Sequence, residues 1–351
     1  MNLFKSLLVE WRQLLSLSSK DSIFLTWEWL YTWSEYYLGG DRSLHIVLVY
    51  RGKELVGIAP WYLSKEKFGP FIVKRLEFIG SPETGSDYLD VITRRGDEEN
   101  VASVVYDYLF HDSTAEWNVL FFRDVPSNSL YFMNFLNLLG KKGKFFGIKK
   151  GSFCPHLILP SNKESFYTTL SANRRQQHKR HFRILNENVT LTHITNEGSE
   201  SETLLAEIRK LYDKRWGGGH DLFFQFLEAF IERTKSAGTV QIDLLRSDDQ
   251  SIAGIIHFNY KENQYMYLMA VDTQYNKKIS AGNVFLGMCI QNAIEKKVTV
   301  YDFLKGGEPY KFHWANAGNS SLNICCYRNR LAPVFSYSID CVRNIGKIVF
   351  R

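Results

Sequence analysis

The chain has 351 residues, of which 45% are hydrophobic and 15% aromatic, and a formal net charge of +6 at pH 7. This length and apolar content can bury a large core in two domains and exclude a disordered chain. No stretch reaches the ~18 uninterrupted apolar residues of a membrane span. We therefore expect a cytoplasmic protein whose mild positive charge suits an anionic small ligand and does not indicate DNA binding.

The cysteines and the N-terminal segment exclude two further classes. The five cysteines are odd in number and scattered, and none forms a CxxC pair or has zinc-like spacing with histidine. The sequence therefore indicates neither a disulfide framework nor a metal site. The first 20 residues lack the cleavage pattern of a signal peptide, so that no processing step is expected.

In chain order, the first half predicts helices followed by a hairpin. Helices are expected over residues 3–18 and over Trp27–Tyr37, the second ended by a Gly-Gly pair. Leu44–Tyr50 and Leu55–Leu63 then read as two strands joined by a tight turn. The remaining elements expected in this half are strands at Lys74–Ile79, Tyr88–Ile92 and Trp117–Arg123, and helices at about 98–110 and 130–142.

The second half repeats this order. After two helices, Val240–Arg246 and Ile252–Tyr260 form a hairpin, with Gly254 taken as the counterpart of Gly57. A strand at Tyr265–Val271, a helix at about 283–297 and a strand at Val298–Leu304 follow. The repeat predicts an α/β fold of two equivalent mixed-sheet units flanked by helices.

The predicted boundaries give an N-terminal unit at 1–160, a basic helical connector at 161–188, a C-terminal unit at 189–330 and a basic tail at 331–351. In the connector, Ser161 and Glu164 match a capping box. The next helix has five cations and no acid before Glu187, namely Arg174, Arg175, Lys179, Arg180 and Arg183. The simpler interpretation is that these cations form a solvated helix face. The functional interpretation is that they contact an anionic partner.

The two copies differ at the turn from strand to helix. In the first copy, Asp97, Glu98 and Glu99 already neutralise the positive end of the helix dipole. The second copy has no acid between Asp272 and Glu295. Free backbone N–H groups at such a helix start favour a bound anion. The second unit is therefore predicted to bind the cofactor, through Lys277, Lys278, Ser280, Ala281, Gly282 and Asn283, and the first to be cofactor-free.

Several short motifs resemble one family. The run from Asp302 to Gly306, followed by Glu308-Pro309-Tyr310-Lys311, resembles the DFxxGxExYK signature of Fem-like members of the GNAT acyltransferase superfamily, often labelled CelD-like or cellulose-biosynthesis-type acetyltransferases. Three further matches are Phe24-Leu25-Thr26 with Trp29-Leu30, the run Gly85 to Asp90, and Asn173-Arg174-Arg175. The resemblance spans roughly residues 20 to 325.

The resemblance implies a tandem GNAT fold and transfer of an acyl group from acyl-CoA, acetyl-CoA above all, to an amine without a metal. An amino sugar of a surface or extracellular polysaccharide is the implied acceptor. The superfamily's R/Q-x-x-G-x-G/A turn survives here only as Gly282 and its small neighbours. The catalytic candidates are Asp302, His257, Tyr310 and Lys311, and the substrate-binding candidates are Asp87, Tyr88, Arg174, Arg175, Trp216 and Glu308.

Roles for these residues follow from the chemistry of amide formation. His257, or a carboxylate acting through water, would take the amine proton, and Tyr310 would protonate the departing thiolate. Backbone N–H groups of the strand Ile255–Phe258 would hold the thioester oxygen. The plainer interpretations are that His257 is a hydrogen-bonded core residue, that Asp302 caps a turn and that Lys311 is solvated. Trp216 is in that case part of the core.

Two other functions stay open. One is aminoacyl transfer from tRNA to a peptidoglycan precursor, as in the Fem branch, for which the RNA-type surface is weak because only Phe182 interleaves aromatic surface with the basic helix. The other is a GNAT-fold protein without catalysis that binds a partner. Peripheral contact with a membrane through the basic helix or tail is a further option.

Overall fold

A computed structural model describes residues 2–68, 70–112, 116–186, 191–196, 201–275 and 280–328. The chain forms two compact units, with boundaries between Ser152 and Phe153 and between Asn319 and Ser320. The first unit takes the chain before the first boundary and after the second, and the second unit takes the chain between them. The predicted connector at 161–188 lies within the second unit, and the tail from 331 lies outside the described residues.

The described residues up to Ile158 form five α-helices and six strands. In order these are α1 (Asn2–Ser6), α2 (Leu8–Ser16), α3 (Trp27–Tyr37), β1 (Arg42–Arg51), β2 (Glu54–Phe68), β3 (Phe71–Phe78), β4 (Ile92–Thr93), α4 (Glu98–His111), β5 (Val119–Pro126), α5 (Leu130–Lys141) and β6 (Phe145–Ile158). Thr26 is the N-cap of helix α3, and its hydroxyl accepts a hydrogen bond from the N–H of Trp29. Such a cap satisfies one of the donors left open at a helix start.

The described residues after Ile158 form six α-helices and six strands. These are α6 (Lys163–Thr169), α7 (Ala172–Asn186), β7 (Leu191–Asn196), α8 (Ser201–Trp216), α9 (Asp221–Thr234), β8 (Val240–Ser247), β9 (Gln250–Tyr260), β10 (Asn263–Val271), α10 (Ala281–Glu295), β11 (Val300–Asp302), α11 (Pro309–Trp314) and β12 (Ala317–Tyr327). None of the helices in the described ranges is long and apolar enough to cross a membrane.

In the first unit the strand order is β1-β2-β3-β5-β12-β6, with β4 pairing β2. Strands β1 and β2 form an antiparallel hairpin, and β3 and β5 run parallel, so that α4 is the crossover between them. The core is aromatic: Trp61 is fully buried and stacks on Phe122 with ring centroids 5.1 Å apart. Trp29 and Trp33 of α3 are buried as completely.

In the second unit the strand order is β6-β11-β10-β9-β8-β7. Strands β8, β9 and β10 pair antiparallel, while β10 and β11 are parallel and joined by the crossover helix α10. The parallel pairing covers only Asn263–Tyr265 against Val300–Asp302. Beyond it, β10 continues to Val271 with β9 as its ladder partner in the described chain. The two parallel strands therefore separate at their carboxyl ends.

The predicted fold class is confirmed, because both units have the order hairpin, third strand, crossover helix and parallel fourth strand. The detailed alignment of the copies was wrong at one position. A Cβ on Gly57 would lie 2.6 Å from Val101 of the crossover helix α4, whereas a Cβ on Gly254 would lie 2.6 Å from Ile208 of α8. Since α8 precedes its hairpin and α4 follows, the two glycines do not occupy equivalent positions.

Several elements differ from the prediction. Strands β6, β7 and β12 were not predicted, and the predicted strand at Tyr88–Ile92 is reduced to Ile92–Thr93. Tyr88 has φ +58°, a left-handed conformation that interrupts extended backbone. Helix α6 is capped by Asn162 in place of Ser161, since the Asn162 side chain accepts the N–H of Ser165 at 2.8 Å.

Candidate functional site

Helix α10 begins at Ala281, and its first turn packs against Val271 at the carboxyl end of β10. Ser280 is the N-cap, and its hydroxyl accepts the N–H of Asn283 at 3.3 Å. The first turn has no acidic residue. A Cβ on Gly282 would lie 2.7 Å from Val271, so that glycine lets the helix start pack closely on the strand. The backbone N–H groups of this turn form an end of positive potential beside the gap between β10 and β11.

The remaining residues of the predicted cofactor turn divide into two groups. Ala281 is 4% exposed and packs in the core, and Asn283 accepts a hydrogen bond from the Trp314 indole at 2.8 Å. Lys277 and Lys278 lie outside the described residues. Of the predicted set, Ser280 is therefore the exposed side chain that the structure places at the helix start.

A charged cavity of about 540 Å³ lies at the end of β10. It is lined by Lys210 and Lys214 of α8, Arg246 of β8 and Asp272, among others. Lys214 pairs with Asp272 at 2.7 Å. Burial raises the pKa of Asp272, but the bonds from Lys214 and from the N–H of Gln274 outweigh burial and hold it below the usual value. The Asp272 carboxylate, which follows β10, is therefore ionised, and the Lys214 ammonium balances its charge.

The family-like segment forms a locked turn. Asp302 accepts the N–H of Leu304 at 2.8 Å, and Leu304 has φ +56°. Lys311 is 4% exposed, and its ammonium donates to the carbonyl of Lys305 at 2.6 Å and pairs with Glu308 at 3.2 Å. The interpretation of Lys311 as solvated is wrong, because the turn encloses it. The turn-capping interpretation of Asp302 agrees with this geometry.

Gly306 is the position that makes this turn possible. Its φ is +143°, and a Cβ there would lie 2.0 Å from the Glu308 carboxylate and 2.6 Å from the Lys311 ammonium. Only a residue without a side chain leaves room for the ion pair at this conformation. The spacing of glycine, glutamate and lysine in the segment therefore has a structural cause, whatever chemistry the turn performs.

Tyr310 lies on α11 within this turn and is half-buried. Burial, and then the charge of Glu308, raise the pKa of its phenol, while Arg215 opposes them more weakly. The phenol is therefore protonated at neutral pH and can act as a proton donor.

His257 lies inside a buried polar network. It is fully buried on β9, with Nδ1 2.8 Å from Asp243 and Nε2 2.6 Å from the hydroxyl of Tyr301. Strand β9 is paired on both sides across this region, so the Ile255–Phe258 backbone is not a free edge. That placement of the thioester oxygen was therefore wrong. The geometry of His257 agrees with the hydrogen-bonded core interpretation.

Asp243 is the centre of this network. Its carboxylate oxygens accept hydrogen bonds from His193 at 2.9 Å, Thr195 at 2.7 Å and Gln241 at 2.7 Å, in addition to His257. Burial raises its pKa, but the hydrogen bonds from the two histidines and Thr195 outweigh burial and hold it well below the usual value. The sequence contained one indication of this network: Gln241 and Asp243 alternate with apolar residues on β8.

One group in the described chain has ligand atoms close enough to suggest a metal. His193, Asp243 and Cys289 have ligand atoms within 4.8 Å of one another. Both oxygens of Asp243 already accept hydrogen bonds, and burial raises the pKa of the Cys289 thiol well above its usual value. A neutral thiol and a saturated carboxylate are a poor cation site.

The predicted substrate residues are distributed over both units. In the second unit, Arg174 donates to the carbonyl of His313 at 2.8 Å, which places α7 against α11, and Arg175 lies one residue further along α7. Trp216 is 46% exposed at the end of α8 and its ring centroid is 4.5 Å from that of Tyr212, so its core interpretation was wrong. Asp87 and Tyr88 belong to the first unit, where Asp87 is buried.

Comparison with known families and structures gives the class of the protein. Residues 172–312 match the model of the acetyltransferase (GNAT) domain. No curated protein sequence matches the chain. This domain match covers the α7 to α11 region in which the helix start, the charged cavity and the family-like turn lie.

Three solved structures share the fold. The chain is 11% identical to FemX, with a TM-score of 0.61 and coverage of 94% of this chain and 97% of that one. It is 12% identical to the C-terminal domain of a putative lysylphosphatidylglycerol synthetase from Agrobacterium fabrum, with a TM-score of 0.54 and coverage of 97% and 96%. A conserved protein of unknown function from Bacteroides thetaiotaomicron is 12% identical, with a TM-score of 0.54 and coverage of 91% and 97%.

The fold is therefore a tandem GNAT-like fold, and the chain contains an acetyltransferase (GNAT) domain. The protein is an acyltransferase.

Proposed function

We propose that the second unit transfers an acyl group from acyl-CoA, with acetyl-CoA as the first donor to test, to an amine. The observation that carries this proposal is the separation of β10 from β11 directly beside the acid-free start of α10. A gap between parallel strands accepts an extended chain, and a helix start accepts an anion. The pantetheine arm and the pyrophosphate of coenzyme A supply these two features.

In this proposal the free edge of β10 replaces the strand that was first expected to bind the thioester. The ladder between β9 and β10 shifts register between Met266 and Leu268, which leaves Tyr267 in a bulge. From Leu268 to Val271 the described chain provides no ladder partner on the β11 side. Backbone N–H groups on such an edge can hydrogen-bond the developing oxyanion at the thioester carbonyl.

The proton transfers are assigned to the locked turn. Attack of the amine on the thioester carbonyl forms the C–N bond and breaks the C–S bond, so the amine loses a proton and the thiolate gains one. Tyr310 is the donor to the thiolate. Glu308, whose side chain is 52% exposed beside Tyr310, holds the amine and takes its proton through water. Asp302 and Lys311 keep the turn in place, and His257 supports the sheet beneath.

The proposed acceptor is an amino sugar of a surface or extracellular polysaccharide. This rests on the resemblance to CelD-like enzymes and on Trp216, which is partly covered by the Arg215 guanidinium but keeps exposed aromatic surface that a sugar can contact. The second candidate is aminoacyl transfer. It is favoured by the likeness to the FemX fold and by the five cations of α7, which have no acidic residue among them.

The test is release of coenzyme A from acetyl-CoA in the presence of amino sugars or amino acids. Parallel reactions measure release of uncharged tRNA from aminoacyl-tRNA in the presence of the same amines. We expect turnover with an amino sugar, and a Tyr310→Phe variant that binds acetyl-CoA normally but turns over at least about tenfold more slowly. Turnover with aminoacyl-tRNA alone would select the second candidate. Binding of no acyl-CoA at all would indicate a non-catalytic binding protein.

A further inference from the structure

A second cavity in the same unit has no part in the proposed reaction. It measures about 410 Å³ and lies among α6, α7, β7 and α10. Pockets of this size hold small organic ligands. The lining includes aromatic, amide and cationic side chains and one carboxylate, among them Tyr167, His178, Lys179, Phe182, Gln291, Asn292 and Glu295.

His178 is the residue that indicates a ligand. It is 8% exposed on α7, and its Nε2 has no hydrogen-bond partner in the described chain. The ring also hydrogen-bonds the backbone of Val284. Burial lowers the pKa of His178, so the ring is neutral and one nitrogen accepts hydrogen bonds. A buried acceptor without a donor is costly unless a ligand or water completes it.

The lining also fits a planar ring that carries an anionic group. Tyr167 and Phe182 present aromatic surface, and Gln291 and Asn292 present amide donors and acceptors. Lys163 is paired with Glu295, whereas no carboxylate of the described residues forms an ion pair with Lys179, whose ammonium lies 5.7 Å from the Tyr167 ring centre.

The cavity is separate from the acyl-CoA site. Met288 and Gln291, which line the cavity, lie about 12 Å and about 16 Å from Ser280 along the axis of α10 at 1.5 Å per residue. One helix thus begins at the acyl-CoA site and lines the cavity with its last turns.

We propose that this cavity binds a planar heteroaromatic ring that carries an anionic group, as in a nucleoside monophosphate. The ring packs on Tyr167 and Phe182, a ring N–H or amino group donates to His178, and the anion pairs with Lys179. This proposal does not depend on the acceptor or on the donor of the acyl transfer.

The test is calorimetric titration of the full chain with AMP, adenosine and ribose 5-phosphate, each with and without saturating acetyl-CoA. We expect AMP to bind, and the two fragments to bind at least about tenfold more weakly, because each lacks one of the two contacts. We expect acetyl-CoA to leave the affinity for AMP unchanged.

Two matched variants complete the test. Lys179→Glu lies in the cavity lining, and Arg180→Glu makes the same change of charge on the next, exposed residue of α7. We expect the first to weaken AMP binding at least about tenfold and the second to change it less than about twofold. Equal loss in both variants, displacement of AMP by acetyl-CoA, or no binding at millimolar AMP would overturn the proposal.

Discussion

Two fully buried carboxyl groups, Asp90 in the first unit and Asp243 in the second, have pKa values shifted in opposite directions. Burial raises the pKa of Asp90 to about 7, because the bonds from Ser129 and the N–H of Val91 and the charge of Lys20 compensate only in part. At Asp243, four side-chain hydrogen bonds lower the pKa by more than burial raises it. The number of donors around each carboxyl decides the direction.

We expect Asp90 to make stability fall as pH rises. Its folded-state pKa lies above the unfolded value, so between about pH 4 and 7 the unfolded chain loses a proton that the folded chain retains. The unfolding free energy should decrease over this window by on the order of a few kcal/mol. Urea unfolding of Asp90→Asn at several pH values should lack this decrease, whereas the exposed Asp41→Asn should keep it. If the unfolding free energies of the wild type and Asp90→Asn change with pH in parallel, the raised pKa of Asp90 is contradicted.

A second prediction concerns Lys311. In Lys311→Met the carbonyl of Lys305 loses its buried donor, which should cost about 1–3 kcal/mol of unfolding free energy. The same change loosens the turn that carries Tyr310, so turnover should fall while acetyl-CoA affinity is kept. Glu308→Gln removes only the half-exposed ion pair and should cost about 0–1 kcal/mol. Equal stability losses in the two variants would show that Lys311 acts through the ion pair alone.

The segment from Asp302 to Lys311 could be identified from sequence as the region of interest, but not the burial of Lys311. Lysine is almost never fully buried, and the carbonyl oxygens that accept its protons belong to backbone that has no signature of its own. For His257 the sequence showed a polar residue in an apolar strand. Its partners Asp243 and Tyr301 lie on other strands, which only the fold brings together.

At the scale of elements, α10 connects the features of the second unit. Its start carries Ser280 and Gly282, its middle packs on α7 through Gly287, and its last turns line the second cavity. A Cβ on Gly287 would lie 2.1 Å from Nε2 of His178. The packing of the two helices therefore requires glycine at this position.

We expect Gly287→Ala to destabilise the protein by about 1–3 kcal/mol, because the added methyl group displaces His178. Gly140 in α5 provides the matched control, since a Cβ there meets no atom within 4 Å. Gly140→Ala should stabilise the protein by about 0.5–1 kcal/mol through helix propensity. Chemical denaturation of both variants measures this. Stabilisation by both substitutions would show that α7 and α10 do not pack as described.

The elements that the sequence predicted correctly are those with a strong period of their own. The two hairpins have largely apolar strands joined by short polar turns, and α10 has an apolar helical period interrupted by small residues. Strand β6 has glycine and lysine residues and a mostly exposed burial pattern, so its extended form depends on the strands that pair with it. Pairing of this kind is non-local and is absent from a local pattern.

At the scale of the whole molecule, the chain exchanges a strand between its halves. Strand β12 ends the second half, but from Ser320 onward it belongs to the first unit, where it pairs β5. Strand β6 ends the first half and pairs β11 in the second unit through residues 156–158. The repeat in the sequence therefore does not coincide with the compact units, and a cut at the repeat boundary would remove a strand from each.

The two units also differ in whether their crossover helix can receive an anion. Helix α4 begins with Glu98 and Glu99, and Glu98 already accepts hydrogen bonds from the N–H of Gly96 and from Ser19. Helix α10 begins with no acid. We therefore expect one acyl-CoA per chain, bound at α10, although both units have the same order of elements.

Calorimetric titration with acetyl-CoA tests this most directly, on the wild type, Ser280→Asp and Ser280→Asn. Both substituents cap a helix well, so both variants should fold. The aspartate places a negative charge beside the pyrophosphate. At this helix start the dipole contributes ~0.3–1 kcal/mol to the binding of an anion. We expect one site per chain, affinity kept in Ser280→Asn, and a loss of about tenfold or more in Ser280→Asp. Two sites per chain, or equal affinity in the two variants, would contradict the placement of the cofactor at α10.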